Sequence, residues 1–242
     1  MPRFFIDVPP VSDTVTLTGE DARHLSRSLR MKEGEAVTVS DQQGTDYRCT
    51  IRELGQDHVL LYIEDAVPCH TEPSVRVRLY QALAKSDKFE WIVQKAVELG
   101  VSEIIPVYTA RCVSVPDQKS MRKKEQRYQK IALEAAKQSG RGIIPQVKES
   151  VSFQDAISGM LADDLPLLFY EGGGEALSAL VRQEYRTISI LIGPEGGFSE
   201  EEVRCALLQG VHAATLGSRI LRCETAPVCA LSVIMYQTGN LS

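Results

Sequence analysis

The sequence predicts an α/β protein in two parts, a small β-rich unit over residues 1–70 and a larger α/β unit over residues 71–242. Three observations carry that expectation. Residues 3–63 hold short runs that alternate or are β-branched, whereas from Val75 strands alternate with long helices, the pattern of a largely parallel sheet covered on both faces. Between them, residues 66–74 contain two prolines and no periodicity, and read as the linker. Finally, three strand-end turns, at 171–174, 193–198 and 216–222, concentrate glycines and arginines. Such turns cluster when their strands are neighbours, and ligands bind outside the carboxyl ends of parallel strands.

In the first unit, strands are expected at 3–8, 14–17, 36–40, 46–54 and 59–63, with Asp41-Gln42-Gln43-Gly44 as a hairpin turn. Residues 20–31 have helical spacing, with Ala22, Leu25 and Leu29 on one face. The other faces carry Arg23, His24, Arg27, Arg30 and Lys32, either a solvated helix surface or a phosphate-gripping one.

In the second unit, residues 75–83 and 102–108 read as strands. Between them, 87–99 is a helix with Phe89, Ile92, Val93, Ala96 and Val97 inward, stopped by Gly100. Residues 118–139 form a long helix, basic in its first half (Lys119, Arg122, Lys123, Lys124, Arg127, Lys130) and apolar in its second. A buried strand at 166–170 leads into Glu171-Gly172-Gly173-Gly174. Another at 188–192 leads into Gly193-Pro194-Glu195-Gly196-Gly197-Phe198, then a helix at 200–208 whose start Ser199 and Glu202 mark as a capping box. A strand at 212–216 precedes the last helix, 226–237, with Pro227 in its opening turn and Val228, Leu231, Ile234 and Met235 on its buried or partner-facing side.

Composition narrows the function classes. Apolar content of 43% with 24% charge builds an ordinary core, and no apolar run reaches the ~20 residues that span a bilayer. The N-terminus lacks the features of a secretion signal, so a cytoplasmic protein is expected. Six scattered cysteines without Cys-x-x-Cys read as free thiols, Cys223 being the one near a candidate site, and four histidines show no metal spacing, so no metal is expected. The net charge of −5 hides an asymmetry: residues 71–150 carry 15 basic and 9 acidic groups, while both flanks are acidic. Nucleic-acid contact is therefore expected on one face rather than excluded.

The glycines at 193, 196 and 197 leave bare backbone for a flat ligand. Glu200, Glu201 and Glu202 suit the helix dipole but repel a phosphate, and the spacing matches neither dinucleotide-binding nor P-loop patterns. A nucleoside bearing an amino-acid tail fits better. Glycines alone would also be explained by tight turning; Arg219 and Arg222, between a buried strand and a buried helix, would not.

Gly193-Pro194-Glu195-Gly196-Gly197, followed some twenty residues later by Leu216-Gly217-x-Arg219-Ile220-Leu221-Arg222-x-Glu224-Thr225-Ala226, resembles the SPOUT class of methyltransferases. Within it the match is to the bacterial 16S ribosomal RNA uridine-N3 methyltransferase family, and the run His24-Leu25-x-Arg27-x-Leu29-Arg30 resembles that family's PUA-like N-terminal β-barrel. Gln42, where the family often has glycine, and Ser28 in an otherwise apolar slot depart from the pattern. The resemblance implies a trefoil-knotted C-terminal domain, S-adenosyl-L-methionine as cofactor, a homodimer joined through the last helix, and 16S ribosomal RNA within the small ribosomal subunit as partner. It implies cofactor contacts at Tyr170, Glu171, Gly193, Pro194, Glu195, Gly196, Gly197, Leu216, Gly217, Ile220 and Leu221, with the methionine end near Glu195–Gly197. For RNA it implies contacts at Lys85, Lys88, Arg111 and Arg141; Arg3, Arg23, Arg27, Arg30, Lys123, Lys124 and Arg127 are further candidates, the last three on a helix stretch that reads either as a solvated face or, as a group, as a phosphate track. Methylating uridine N3 favours cations that stabilise the developing uridine anion. Arg219 and Arg222 are the candidates, with Glu224 orienting an arginine, accepting the proton, or simply pairing with Arg222 at the start of the last helix. The alternatives are another SPOUT enzyme, acting on ribose 2′-oxygens or a transfer-RNA guanosine, and a non-catalytic RNA-binding module.

Overall fold

The structure, a computed structural model, describes residues 1–113 and 115–241. The chain divides into two units, residues 1–72 with 136–144, and residues 73–135 with 145 onward.

The first unit is a five-stranded sheet of β1 (Arg3–Phe5), β2 (Thr14–Thr18), β3 (Ala36–Ser40), β4 (Thr45–Leu54) and β5 (His58–Pro68), in the order β1-β3-β4-β5-β2. Alternation sends Val15, Leu17, Val37, Val39, Ile51, Val59 and Leu61 inward, where they pack with Phe4 and Leu25. Register shifts in the β4–β5 pairing, at Arg48/Cys49 and Ile51/Glu53, bend the long hairpin over this core. The β3–β4 turn is held by Asp41, whose Oδ1 accepts from the amides of Gln43 (2.8 Å) and Thr45 (3.0 Å). Gln42 sits there at φ 60°, a left-handed conformation that costs a non-glycine residue roughly 1 kcal/mol. This is why a glycine suits the position.

The expected helix over 20–31 is shorter and changes pitch. It begins as α1 (Gly19–Arg23) and continues as a π turn, His24–Ser28, closed by the Leu29 amide on the His24 carbonyl (2.9 Å). In a π turn, residue i+4 no longer lies beneath residue i. Leu25 stays buried while Leu29, expected beside it, is 41% exposed.

In the second unit, β6 (Arg76–Ala82), α2 (Ser86–Glu98), β7 (Glu103–Tyr108) and α3 (Gln118–Ser139) follow the predicted alternation. Gly100, at φ 89°, closes α2 in the left-handed conformation expected of it. Then come β8 (Gln146–Val147), β9 (Val151–Ser152), α4 (Phe153–Met160), β10 (Leu165–Phe169), β11 (Glu175–Ala176), α5 (Leu177–Leu180), β12 (Thr187–Ile192), α6 (Glu200–Leu208), β13 (His212–Thr215) and α7 (Thr225–Gln237). Strands β6 to β13 make one all-parallel sheet along β11-β13-β10-β12-β6-β7-β8, with β9 also on β7. Every residue of β10 is buried, as a strand covered on both faces requires. Four short pieces, β8, β9, β11 and α5, are too brief to leave periodicity. Helix α4 did leave a signal: Ser152 caps it by accepting from the Asp155 amide (3.1 Å), ahead of buried Ala156, Ile157 and Met160.

Candidate active site

The order β13-β10-β12 places the three anticipated turns side by side at the carboxyl ends of adjacent strands. They enclose a cavity of about 480 Å³, within the usual range for small-molecule sites. All eleven residues expected to contact a cofactor line it, from Tyr170 and Glu171, through Gly193–Gly197, to Leu216, Gly217, Ile220 and Leu221. Phe169, Ile192, Phe198, Cys223 and Ala226 add apolar wall, and Lys88 adds a cation.

The glycines suit a tightly turned backbone, Gly197 above all because it is left-handed. Gly197 donates its amide to the Pro194 carbonyl (3.0 Å) at φ 66°, and a Cβ there would stand 2.7 Å from a Glu171 carboxylate oxygen. A Cβ on Gly196 would stand 3.2 Å from the Arg111 Cβ. The turn is anchored behind by buried Phe198 and by the capping box of α6, in which Ser199 accepts from the Glu202 amide (3.2 Å) and donates its own amide to the Glu202 carboxylate (2.8 Å). Glu202 also accepts from the Ala110 amide (2.8 Å), and Arg111 Nη1 donates to the Gly196 carbonyl (3.1 Å), so the loop after β7 braces the turn.

After β13, Gly217 turns the chain at φ 103°, and the Arg222 carbonyl accepts from the amides of Thr225 and Ala226 (2.9 Å each) to begin α7. Arg219 and Arg222 both line the cavity and are exposed, and neither makes an ion pair among the described residues. The Arg222–Glu224 pair considered above does not form. Glu224 lies outside the cavity lining and meets Lys88 instead, Oε2 to Nζ at 3.5 Å.

Lys88, from the first turn of α2, also pairs with Glu195 (3.3 Å). Burial works against ionisation of Glu195, but its own backbone amide, that of Lys85, and Lys88 outweigh it and hold the carboxyl below its ordinary value. Glu224 is likewise lowered: burial is overcome by hydrogen bonds from Cys223 and its own amide and by Lys88. Burial first, then Glu224 and the charge of Glu195, push the Cys223 thiol up to about 12, so it remains a protonated thiol rather than a nucleophile.

The RNA candidates divide. Arg23, Arg27, Arg30 and Lys123 are exposed, as is Arg127 despite its pair with Glu90 (2.7 Å), and Lys124 is half-buried. Lys85 and Arg111 lie beside the cavity turn. Three of the candidates sit apart from this exposed set. Lys88 belongs to the cavity wall. Arg3 is internal, its side chain 11% exposed and gripping Asp46 through Nη1 (2.5 Å) and Nη2 (2.9 Å). Arg141, 5% exposed, is held by Glu72 (2.5 Å and 3.2 Å). Both arginines meet a carboxylate in a part-buried setting, where pairing satisfies the charge. Among the described residues there is no group of metal-ligating side chains, and no helix is long and apolar enough to cross a membrane.

A parallel α/β sheet with a ligand cavity at its strand ends, preceded by a small β unit, is the arrangement that two RNA methyltransferase family models match. Residues 71–235 match the RNA methyltransferase domain model, and residues 17–64 the RNA methyltransferase PUA domain. The chain is 38% identical to ribosomal RNA small subunit methyltransferase E of Bacillus subtilis, across 100% of this chain and 98% of that one. It superposes with TM-score 0.89 on the Neisseria gonorrhoeae ribosomal RNA small subunit methyltransferase E bound to S-adenosyl methionine, at 31% identity, covering 98% and 97% of the two chains. A Legionella pneumophila putative methyltransferase with bound cofactor SAM gives TM-score 0.89 at 29% identity, over 97% and 96%. The chain belongs to the ribosomal RNA small subunit methyltransferase E family.

Proposed function

We propose that this protein transfers a methyl group from S-adenosylmethionine to N3 of a uridine in 16S ribosomal RNA, acting as a cytoplasmic homodimer on the small ribosomal subunit. The observation that carries the reading is the meeting of two motifs, Gly193–Gly197 and Leu216–Arg222, around one cavity with two exposed arginines on its wall. The cavity fits the cofactor: bare glycine backbone, apolar side walls, and an ion pair at Glu195 and Lys88. When bound, the cofactor supplies a methyl group already activated by its sulfonium. The chain must then orient uridine N3 in line with that methyl and stabilise the anion left when N3 loses its proton. Arg219 and Arg222 suit the second task because no carboxylate neutralises them. Glu224, behind the lining and held by Lys88, suits an orienting role better than proton acceptance.

The exposed arginines of α1 and the π turn, and the basic first half of α3, support RNA contact. Exposed Ile220 (84%) and Tyr236 (72%), beside and on α7, support a dimer through that helix. The position of β13 between β10 and β11 supports a knotted passage, because the chain leaves β13 from inside the sheet. The test is methyl transfer from radiolabelled S-adenosylmethionine to small subunits from cells lacking the protein, with the product nucleoside identified by mass spectrometry. Recovery of 3-methyluridine at one site is expected. Cofactor binding with no methylation of the subunit would move the assignment to another RNA.

A further inference from the structure

The capping box accounts for only one of the two Glu202 oxygens. Oε2 accepts from the Ser199 amide (2.8 Å), as that helix start requires. Oε1 does something no cap needs: it accepts from the Ala110 amide (2.8 Å), 92 residues earlier, in the loop between β7 and α3. The next residue, Arg111, is exposed and makes no ion pair among the described residues; its bond to the turn is from Nη1 to the Gly196 carbonyl (3.1 Å). A guanidinium has five N–H donors, so Arg111 keeps its charge and further donors for another group. We propose that Glu202 is a positioning residue for RNA: it fixes this loop at the cavity rim and so holds Arg111 for a backbone phosphate of the nucleotide whose base enters the cavity; this rests on the RNA methyl-transfer reading above.

Placement separates this arginine from the chemistry. Gly196 lines the cavity and Arg111 does not, so Arg111 stands outside the wall, where the RNA backbone passes rather than the reacting base. Its planar fork of donors suits a phosphate. Neighbouring acids do not cancel its charge. Glu200 and Glu201 line a separate groove on α6 with Arg204 and Leu208, and Glu202 has both oxygens occupied. Asp117, at the far end of the loop, serves the start of α3, accepting from the Ser120 amide (2.9 Å) and hydroxyl (3.0 Å). A loop without the Glu202 bond would have to be ordered when RNA binds, and that cost is removed when the loop is held in advance.

The test is steady-state methyl transfer from S-adenosylmethionine to small ribosomal subunits by the full-length protein, comparing Glu202→Gln, Arg111→Ala and the double variant with wild type. Glutamine serves a capping box as glutamate does but has one acceptor oxygen instead of two, so the helix start is kept and the loop bond is lost. Glu202→Gln should raise KM for the subunit about 3- to 10-fold, with kcat, the Kd of S-adenosylhomocysteine and the urea midpoint near wild type. Arg111→Ala should raise that KM about 10- to 100-fold, the scale of one charged hydrogen bond. The double variant should match Arg111→Ala within about twofold, because Glu202 acts through Arg111. Effects that multiply, an unchanged subunit KM in either single variant, or S-adenosylhomocysteine binding weakened as much as subunit binding would overturn the assignment. If Glu202→Gln does not fold, Ala110→Pro removes the same bond by deleting the amide donor and carries the same comparison. Wild-type protein that methylates no small subunit would instead sink the reading beneath it, seen as absent turnover rather than a shifted KM.

Discussion

Arg3 and Arg222 are both basic residues in segments expected to handle RNA, Arg3 opening β1 and Arg222 just ahead of α7. Their surroundings make them opposites. Arg3 lies in the first unit with 11% of its side chain exposed, both its terminal nitrogens on Asp46 and a further contact to Ser40. Arg222 lies in the second unit, exposed on the cavity wall with no carboxylate of its own. A neutralised guanidinium is scaffold; an unneutralised one at a ligand cavity is available for chemistry. Residue type does not distinguish them. The partner does.

The largest effect expected from this contrast is on turnover. Arg222→Ala should lower kcat by about a thousandfold, the scale for losing a group that stabilises transition-state charge, while the Kd for S-adenosylhomocysteine changes by less than about threefold. Single-turnover kinetics beside calorimetry separate the two, and normal turnover would remove Arg222 from the mechanism. Arg3→Ala should do the reverse, costing about 3 kcal/mol of stability because it strands the part-buried Asp46 carboxylate, measurable as a lower urea midpoint. If Arg3→Ala kept its stability and lost RNA affinity, the contrast would be broken.

A smaller effect concerns acid. Burial resists ionisation of Asp46, but Arg3, Ser40 and Cys69 hold its pKa below the ordinary 3.8. Because the folded value is the depressed one, the stabilisation is present above the unfolded pKa and is lost as pH falls through the folded value. Wild-type stability should therefore fall more steeply than that of Asp46→Asn below about pH 4, as read from urea midpoints. The smallest effect belongs to the solvated face of α3. Lys123→Ala with Arg127→Ala should weaken RNA binding several-fold and flatten its salt dependence by about one to two in slope, leaving cofactor affinity unchanged. An unchanged salt slope would assign that face to solvent alone.

Much of this was legible in the chain. The alternation from Val75, the capping box at Ser199 and Glu202, and the apolar run of β10 are local patterns, and local patterns survive in a sequence. The two glycine motifs marked the cavity because a left-handed turn favours glycine wherever it occurs, as Gly197 at φ 66° and Gly217 at φ 103° show. The π turn at His24–Ser28 was not legible, since the same apolar spacing suits an α-helix until the turn widens and releases Leu29. Nor were the fates of Arg3 and Arg141, whose carboxylates stand 43 and 69 residues away.

By itself, then, the sequence determined the change from β-rich to alternating α/β pattern, the longer strands and helices, and the segments that line the cavity, because each depends on short-range periodicity or on small residues; it did not show that residues 136–144 join the first unit. Only the tertiary structure decided which charges are scaffold and which are free. The pairing of Lys88 with Glu195 and Glu224 joins residues 107 and 136 positions apart through neighbouring strands, and no spacing rule reaches that far. Electrostatic roles depend on which carboxylate folding brings within a few ångströms, and that is a property of packing.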